Sequence, residues 1–114
     1  MRSFELTERE LGPVTVMVVA GSVDAITAPR LGEALASALA AGRSRLVVDL
    51  VGVDYVSSAA LRALLAGVKG SRSAGGDLRL AGVTPAVAKV FALAGFDAIV
   101  QRFDDAEAAA ASFG

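Results

Sequence analysis

Short, nearly continuous apolar runs alternate along this chain with segments in which leucine recurs every three or four residues. The runs at residues 14–20 and 46–50 have the composition of strands that are covered on both faces of a sheet. Between them, Leu31, Leu35 and Leu39 follow an i, i+4, i+8 spacing, which places three leucines on one face of a helix. This alternation favours a mostly parallel sheet with helices packed against it.

Five strands are expected from these apolar runs and from turn residues beside them. They lie at residues 4–6, 14–20, 46–50, 77–81 and 98–100. The Gly12-Pro13 pair predicts a hairpin turn between the first two strands. We expect Gly21 to end the second strand and residues 51–55 to form a loop after the third.

Four helices are expected between and after the later strands. Their starts are marked by residues that cap helices or begin them, namely Thr27 before Pro29, Ser57 or Ser58, Thr84 before Pro85, and Asp104 with Glu107 as a capping box. Glycine marks their ends, at Gly42, at Gly70 with residues 71–76, and at Gly95. In the third helix the expected buried stripe is Val87, Val90, Phe91 and Ala94.

The predicted order is therefore β-β-α-β-α-β-α-β-α. Strands that alternate with helices imply right-handed crossovers and parallel neighbours, whereas the opening hairpin adds an antiparallel edge strand. No linker divides the chain, and its length suits one unit, so we expect a single α/β domain over residues 1–114.

The residues that this chain lacks argue against several function classes. It contains no Cys and no His, which removes thiolate nucleophiles, the commonest general base and the commonest transition-metal ligands. Eleven basic residues against twelve acidic ones give a net charge of −1, with no basic cluster of the kind that binds nucleic acid. No glycine-rich phosphate loop is present. We expect no catalytic residue, metal, cofactor or nucleic-acid partner.

Nothing in the sequence predicts insertion into a membrane. No apolar run approaches the roughly 18 residues that a membrane-spanning helix needs. Residues 1–5 carry charge where a signal peptide needs an apolar stretch. The sequence has no heptad repeat of the kind that would indicate an obligate coiled-coil dimer. We expect a cytoplasmic protein that is a monomer in isolation.

Two adjacent hydroxyls, on Ser57 and Ser58, stand where a strand turns into a helix. Capping of the helix explains Ser57, because its oxygen can accept a hydrogen bond from a backbone N–H of the first turn. Capping does not explain Ser58, which is neither a core residue nor the best helix former. A phosphate on Ser58 would gain from the helix dipole and would bring about two negative charges to any surface docked there. The pattern indicates a charge switch.

Several segments in the right order resemble a STAS domain, and within that family the anti-sigma factor antagonists of bacterial partner switching. Residues 21–28 are similar to the family's Gly-x-x-Asp-x-x-Thr-Ala segment, and residues 48–61 resemble the strand and loop that lead into its Asp-Ser-Ser-Gly-Leu signature. Residues 75–80, 84–87 and 93–96 match later segments, so the resemblance covers essentially the whole chain.

The resemblance implies a function. Antagonists of this family bind an anti-sigma factor that is also a serine kinase, and so free the sigma factor. Phosphorylation of one Ser at the start of the second helix releases the antagonist, and a separate serine phosphatase resets it. In register with the signature, the phosphorylated position is Ser58, and Ser57 is the alternative acceptor. Ser57, Ala59 and Ala60 stand where the family has Asp, Ser and Gly.

The expected partner surface consists of Asp24, Thr27, Ser57, Ser58 and Arg62. Asp24 matches the Asp of the neighbouring loop in the family, and Arg62 lies one turn after Ser58, off the leucine stripe of the helix. Two other roles stay open. One is an accessory subunit of a membrane lipid or anion transporter, without a phosphorylation switch. The other is a small nucleotide-binding protein or enzyme, against which the missing phosphate loop and general base argue.

Overall fold

A computed structural model describes residues 3–113 of the chain. Met1 and Arg2, part of the charged stretch that argued against a signal peptide, lie outside the described residues. In chain order the elements are β1 (Phe4–Leu11), β2 (Val14–Val23), α1 (Ala28–Ala40), β3 (Arg45–Val56), α2 (Ser58–Ser73), β4 (Asp77–Ala81), α3 (Pro85–Leu93), a 3-10 turn (Phe96–Ala98), β5 (Arg102–Phe103) and α4 (Ala106–Ala111). Within these residues no helix has the length and apolarity needed to cross a bilayer.

The five strands form one sheet in the order β1-β2-β3-β4-β5. β1 is antiparallel to β2, and the other neighbours are parallel. The predicted α/β order, with a mostly parallel sheet and an antiparallel edge strand at its start, is therefore confirmed.

Alternate residues of the central strands enter two different cores. Leu46 and Val48 of β3 belong to the larger core, which buried side chains of α1, α2 and α3 complete. Val47 belongs to a smaller core that Ala106 and Ala109 of α4 complete. Three helices thus cover one face of the sheet and the short α4 covers part of the other, as the period of two along a strand requires.

The first three strands are longer than the sequence predicted, and β1 continues past residue 6 to Leu11. β2 continues past Gly21 to Val23, and β3 continues through residues 51–55 to Val56, so the predicted strand end and the predicted loop are both wrong. The register between the two strands shifts once between Val18 and Ala20 and again between Gly21 and Ser22. At each shift β3 contains one extra residue, and the pairing resumes beyond it in a new register.

Three further boundaries differ from expectation. α2 continues past Gly70 to Ser73, because Gly70 serves close packing: a Cβ there would lie 2.7 Å from Cδ1 of Leu39. The strand predicted at residues 98–100 is instead the end of the 3-10 turn and the segment after it, and β5 forms only at residues 102–103. Ala94, expected in the buried stripe of α3, is exposed just after the helix ends.

The caps of α3 and α4 also differ from the prediction. Thr84 precedes α3 as expected, but its hydroxyl donates to the carbonyl of Val53 at 3.3 Å instead of capping the helix. Asp105, and not Asp104, caps α4 by accepting from the backbone N–H of Ala108 at 2.7 Å. Glu107 does not close a capping box, since it pairs with an arginine of β1.

Gly21 allows the backbone just before β1 to pack closely against the end of β2. Its φ is +94°, and a Cβ on it would overlap the backbone carbonyl oxygen of Ser3. That oxygen also accepts from the backbone N–H of Ser22 at 2.9 Å, so it cannot withdraw without losing a hydrogen bond.

Gly21→Ala is therefore expected to lower the free energy of unfolding by about 3 kcal/mol, since backbone strain and steric overlap add. Gly42→Ala is the matched control, because Gly42 has a similar φ of +84° but nothing within 4 Å of the position that a Cβ would occupy. Strain alone should cost about 1 kcal/mol there. Urea unfolding measures the free energy of unfolding of both variants. An equal decrease in the two would contradict a steric overlap at Gly21.

Candidate partner-binding site

The carboxyl ends of β2 and β3 meet at one end of the sheet. Ser22 lies opposite Tyr55 and Val23 opposite Val56 in the parallel ladder. Directly beyond it, the backbone N–H of Ser57 donates to the carbonyl of Val23 at 2.9 Å. The turn that follows β2 and the start of α2 are thereby held side by side.

The carboxylate of Asp24 organises the turn between β2 and α1. It accepts from the backbone N–H of Ile26 at 2.9 Å and from that of Thr27 at 3.0 Å. The Thr27 N–H, more than the Ile26 N–H, holds the pKa of Asp24 below its ordinary value, so the carboxylate is charged at neutral pH.

Thr27 occupies the capping position of α1 but does not cap it with its side chain, contrary to expectation. Its hydroxyl oxygen accepts from the backbone N–H of Asp24 at 2.9 Å, and the hydroxyl donates to the carbonyl of Ser22 at 2.9 Å. Thr27 therefore ties the turn back to the end of β2. Asp24 and Thr27, both predicted as contact residues, are bonded chiefly to each other and to this turn.

The two serines have different environments. Ser57 is half-buried, and its hydroxyl oxygen accepts from the backbone N–H of Ala60 at 3.3 Å, so the predicted cap of α2 is confirmed. Ser58 is the first residue of α2 and is exposed, and its hydroxyl forms no hydrogen bond within residues 3–113. Of the two hydroxyls, that of Ser58 is the accessible one.

Arg62 lies one turn further along α2 and is also exposed. The buried residues Ala60, Leu64 and Val68 mark the face of the helix that packs on the sheet. Ser57 is linked to β2 through the Val23 carbonyl, whereas no hydrogen bond within the described part of the chain joins Ser58 or Arg62 to Asp24 or Thr27.

The structure adds side chains that the sequence patterns did not indicate. Ser22 donates to the carboxylate of Asp54 at 3.1 Å, a bond between β2 and β3. Ile26, in the Asp24 turn, is 84% exposed, and Tyr55 is 42% exposed. The sequence did contain one indication that Ile26 is exposed, since it is a large apolar residue between the turn-forming residues Asp24 and Thr27. Because residues 51–55 were predicted to form a loop, Asp54 and Tyr55 were not placed in a strand from the sequence.

This end of the molecule offers contact surface and one accessible hydroxyl. Among residues 3–113 no three acidic side chains come together in a way that would hold a metal ion. A cavity of about 670 Å³ lies where β4 and β5 end, and none of the five predicted contact residues lines it. The geometry fits docking of a protein better than enclosure of a small molecule.

Comparison with known proteins assigns the fold to a family. The family model described as "Mlab, STAS domain" matches residues 6–101. The chain belongs to the STAS domain family. It is 36% identical over 109 residues to BtrV of Bordetella bronchiseptica, which is named as a candidate anti-sigma factor antagonist; the match covers 96% of this chain and 94% of BtrV.

Two further matches are also named as anti-sigma factor antagonists. An anti-sigma-B factor antagonist of Listeria monocytogenes is 30% identical over 99 residues, which cover 87% of this chain and 86% of the relative. The crystal structure of an anti-sigma factor antagonist from Mycobacterium paratuberculosis matches with a TM-score of 0.88 at 25% identity, covering 97% of this chain and 94% of that one. The STAS chain described here is thus a member of the anti-sigma factor antagonist group.

The different environments of the two serines predict different effects of their removal. Ser57→Ala should lower the free energy of unfolding by about 1 kcal/mol, because the Ala60 N–H loses its capping acceptor. Ser58→Ala should change it by less than about 0.5 kcal/mol, because an exposed, unbonded hydroxyl is lost at a position where Ala is a good helix former. Urea unfolding of both variants tests the assignment, and the reverse order would contradict it.

Proposed function

We propose that this protein is an anti-sigma factor antagonist that works by partner switching. Unphosphorylated, it binds an anti-sigma factor with serine kinase activity, and so regulates sigma-factor-dependent transcription. Phosphorylation of Ser58 releases it, and a separate serine phosphatase restores binding. The names of the curated relatives support the class, and the accessible hydroxyl of Ser58 at the start of α2 is the observation that carries the mechanism.

The geometry favours Ser58 over Ser57 as the acceptor. Phosphoryl transfer needs the serine oxygen in line with the γ-phosphorus of ATP: the O–P bond forms, the bond to the β-phosphate oxygen breaks, and a base of the kinase takes the hydroxyl proton. The Ser57 oxygen is half-buried and committed to Ala60 N–H, so its attack would uncap α2. The Ser58 oxygen is exposed and makes no competing bond within the described residues.

A phosphate on Ser58 would alter the surface by charge alone. It adds up to about two negative charges at the exposed first residue of α2, next to Ser57, whose backbone N–H is already bonded to the Val23 carbonyl at the end of β2. Burying this charge in a closed interface is strongly unfavourable when the docked protein offers no cation to pair with it, so the complex should dissociate while the fold stays as it is.

The departures from the family signature are compatible with this role. Ser57 supplies the cap that an Asp would supply in the family. The methyl group of Ala60 is buried in the core, so it does not face a docked partner. Ala59 is partly buried against the same core. Position 58 thus keeps the same place at the start of the helix.

In this proposal the protein is acted upon and is not an enzyme. With no His and no Cys, it relies on kinase and phosphatase proteins for the chemistry, and it works in the cytoplasm where they and the sigma factor are found. The transporter-accessory role is the alternative, and the identity of the bound partner separates the two.

The test combines phosphorylation with binding. Incubation with the cognate kinase-type anti-sigma factor and ATP should add one phosphate to wild type and to Ser57→Ala but none to Ser58→Ala, as read by mass spectrometry. Ser58→Glu should weaken binding of the unmodified partner by roughly 10-fold or more. Binding without phosphate transfer would refute the switch, and stable association with a transporter permease instead of the kinase would refute the antagonist role.

A matched pair of apolar variants tests the position of the docking surface. Ile26→Ala should weaken the same complex, because Ile26 is exposed in the turn after β2, which is held next to the start of α2, and would be desolvated on binding. Leu93→Ala is the control: Leu93 is 85% exposed, as Ile26 is, but lies at the C-terminal end of α3, whose other end faces β3. Equal weakening by both would refute the surface.

A further inference from the structure

Arg62 is placed to meet any group attached to Ser58. It follows Ser58 by four residues on α2, the spacing at which helix side chains are neighbours, and both side chains are exposed. The residue three positions after Ser58 is Leu61, which packs partly against the core. The side chain of α2 that can reach a phosphate on Ser58 is therefore a guanidinium.

Arg62 has no anionic partner among the residues that the structure describes. Ion pairs within residues 3–113 engage other arginines, namely Arg9, Arg43, Arg72, Arg79 and Arg102. On its own helix, the residues three and four positions away on either side are Ser58, Ala59, Leu65 and Ala66. Only position 58 can acquire a negative charge.

We propose that Arg62 is the counter-charge of phosphorylated Ser58, an inference that rests on the proposed phosphorylation. An anionic residue four positions before a cationic one is the favourable orientation on a helix. A guanidinium also matches phosphate oxygens with two parallel N–H donors, which a lysine ammonium does not.

This pairing gives the switch a second component. In the unphosphorylated protein the guanidinium of Arg62 is free to contact a carboxylate of the docked partner. Phosphorylation adds negative charge at Ser58 and at the same time engages Arg62 within its own helix. The partner-binding surface of this protein thus gains a negative charge and loses an available positive charge in one event, with no change in backbone conformation.

A thermodynamic cycle on the full chain tests the pairing without a kinase. Arg62→Gln should lower the Tm by about 1–2 °C in the Ser58→Glu background, where the pair exists, and by less than about 0.5 °C with Ser58 present. Lys69→Gln is the matched control, since it removes one positive charge from the same helix roughly 16 Å from position 58. It should shift both backgrounds equally.

Two further results decide the inference. Arg62→Lys should restore part of the coupling, and 1 M NaCl should abolish it, because the Debye length is then about 3 Å. The enzymatically phosphorylated protein should show a larger coupling than Ser58→Glu. Equal effects of Arg62→Gln in both backgrounds would overturn the inference. If wild type accepts no phosphate, the proposed function fails, and the Ser58→Glu cycle still decides whether Arg62 pairs with an anion at position 58.

Discussion

Pairing between β2 and β3 beyond their bulges is the constraint on which the site depends. If the strands ended at Gly21 and Leu50, about seven residues of loop, spanning up to roughly 20 Å, would separate β3 from α2. Instead the ladder continues to Val23 and Val56, and the Ser57 N–H reaches the Val23 carbonyl at 2.9 Å. The start of α2 is therefore held against the end of β2, and this sets the position of Ser58, the first residue of the helix.

The turn beside it is held just as closely, by a different set of bonds. Asp24 satisfies backbone N–H groups of its own turn, and Thr27 joins that turn to the Ser22 carbonyl. Ser22 in turn donates to Asp54 of the next strand. Two segments that are far apart in sequence thus form one continuous surface held by hydrogen bonds, and the proposed phosphorylation would change the charge of that surface.

Hydrophobic periodicity and capping residues were sufficient for the element order and the Ser57 cap, because both depend on residues close together in the chain. The mixed sheet followed from that order, because strands joined through helices pair in parallel and a hairpin pairs antiparallel. The bulges were not predictable from it, since they depend on how one strand aligns with another. Asp24 and Thr27 are both good capping residues, and only the backbone path decides that Asp24 binds the N–H groups. The Ser22–Asp54 bond joins residues 32 positions apart, and no local pattern indicates it.

In the proposed switch, phosphorylation changes the charge of this surface and not its shape. The most direct measurement compares backbone ¹⁵N–¹H shifts and amide hydrogen exchange of the protein before and after phosphorylation of Ser58. If only the charge changes, the shift changes should be confined to the Asp24 turn, the end of β3 and the first two turns of α2, and protection of the sheet amides should be unchanged. Shift changes that extend through α3 and α4, or loss of protection in β2 and β3, would contradict it.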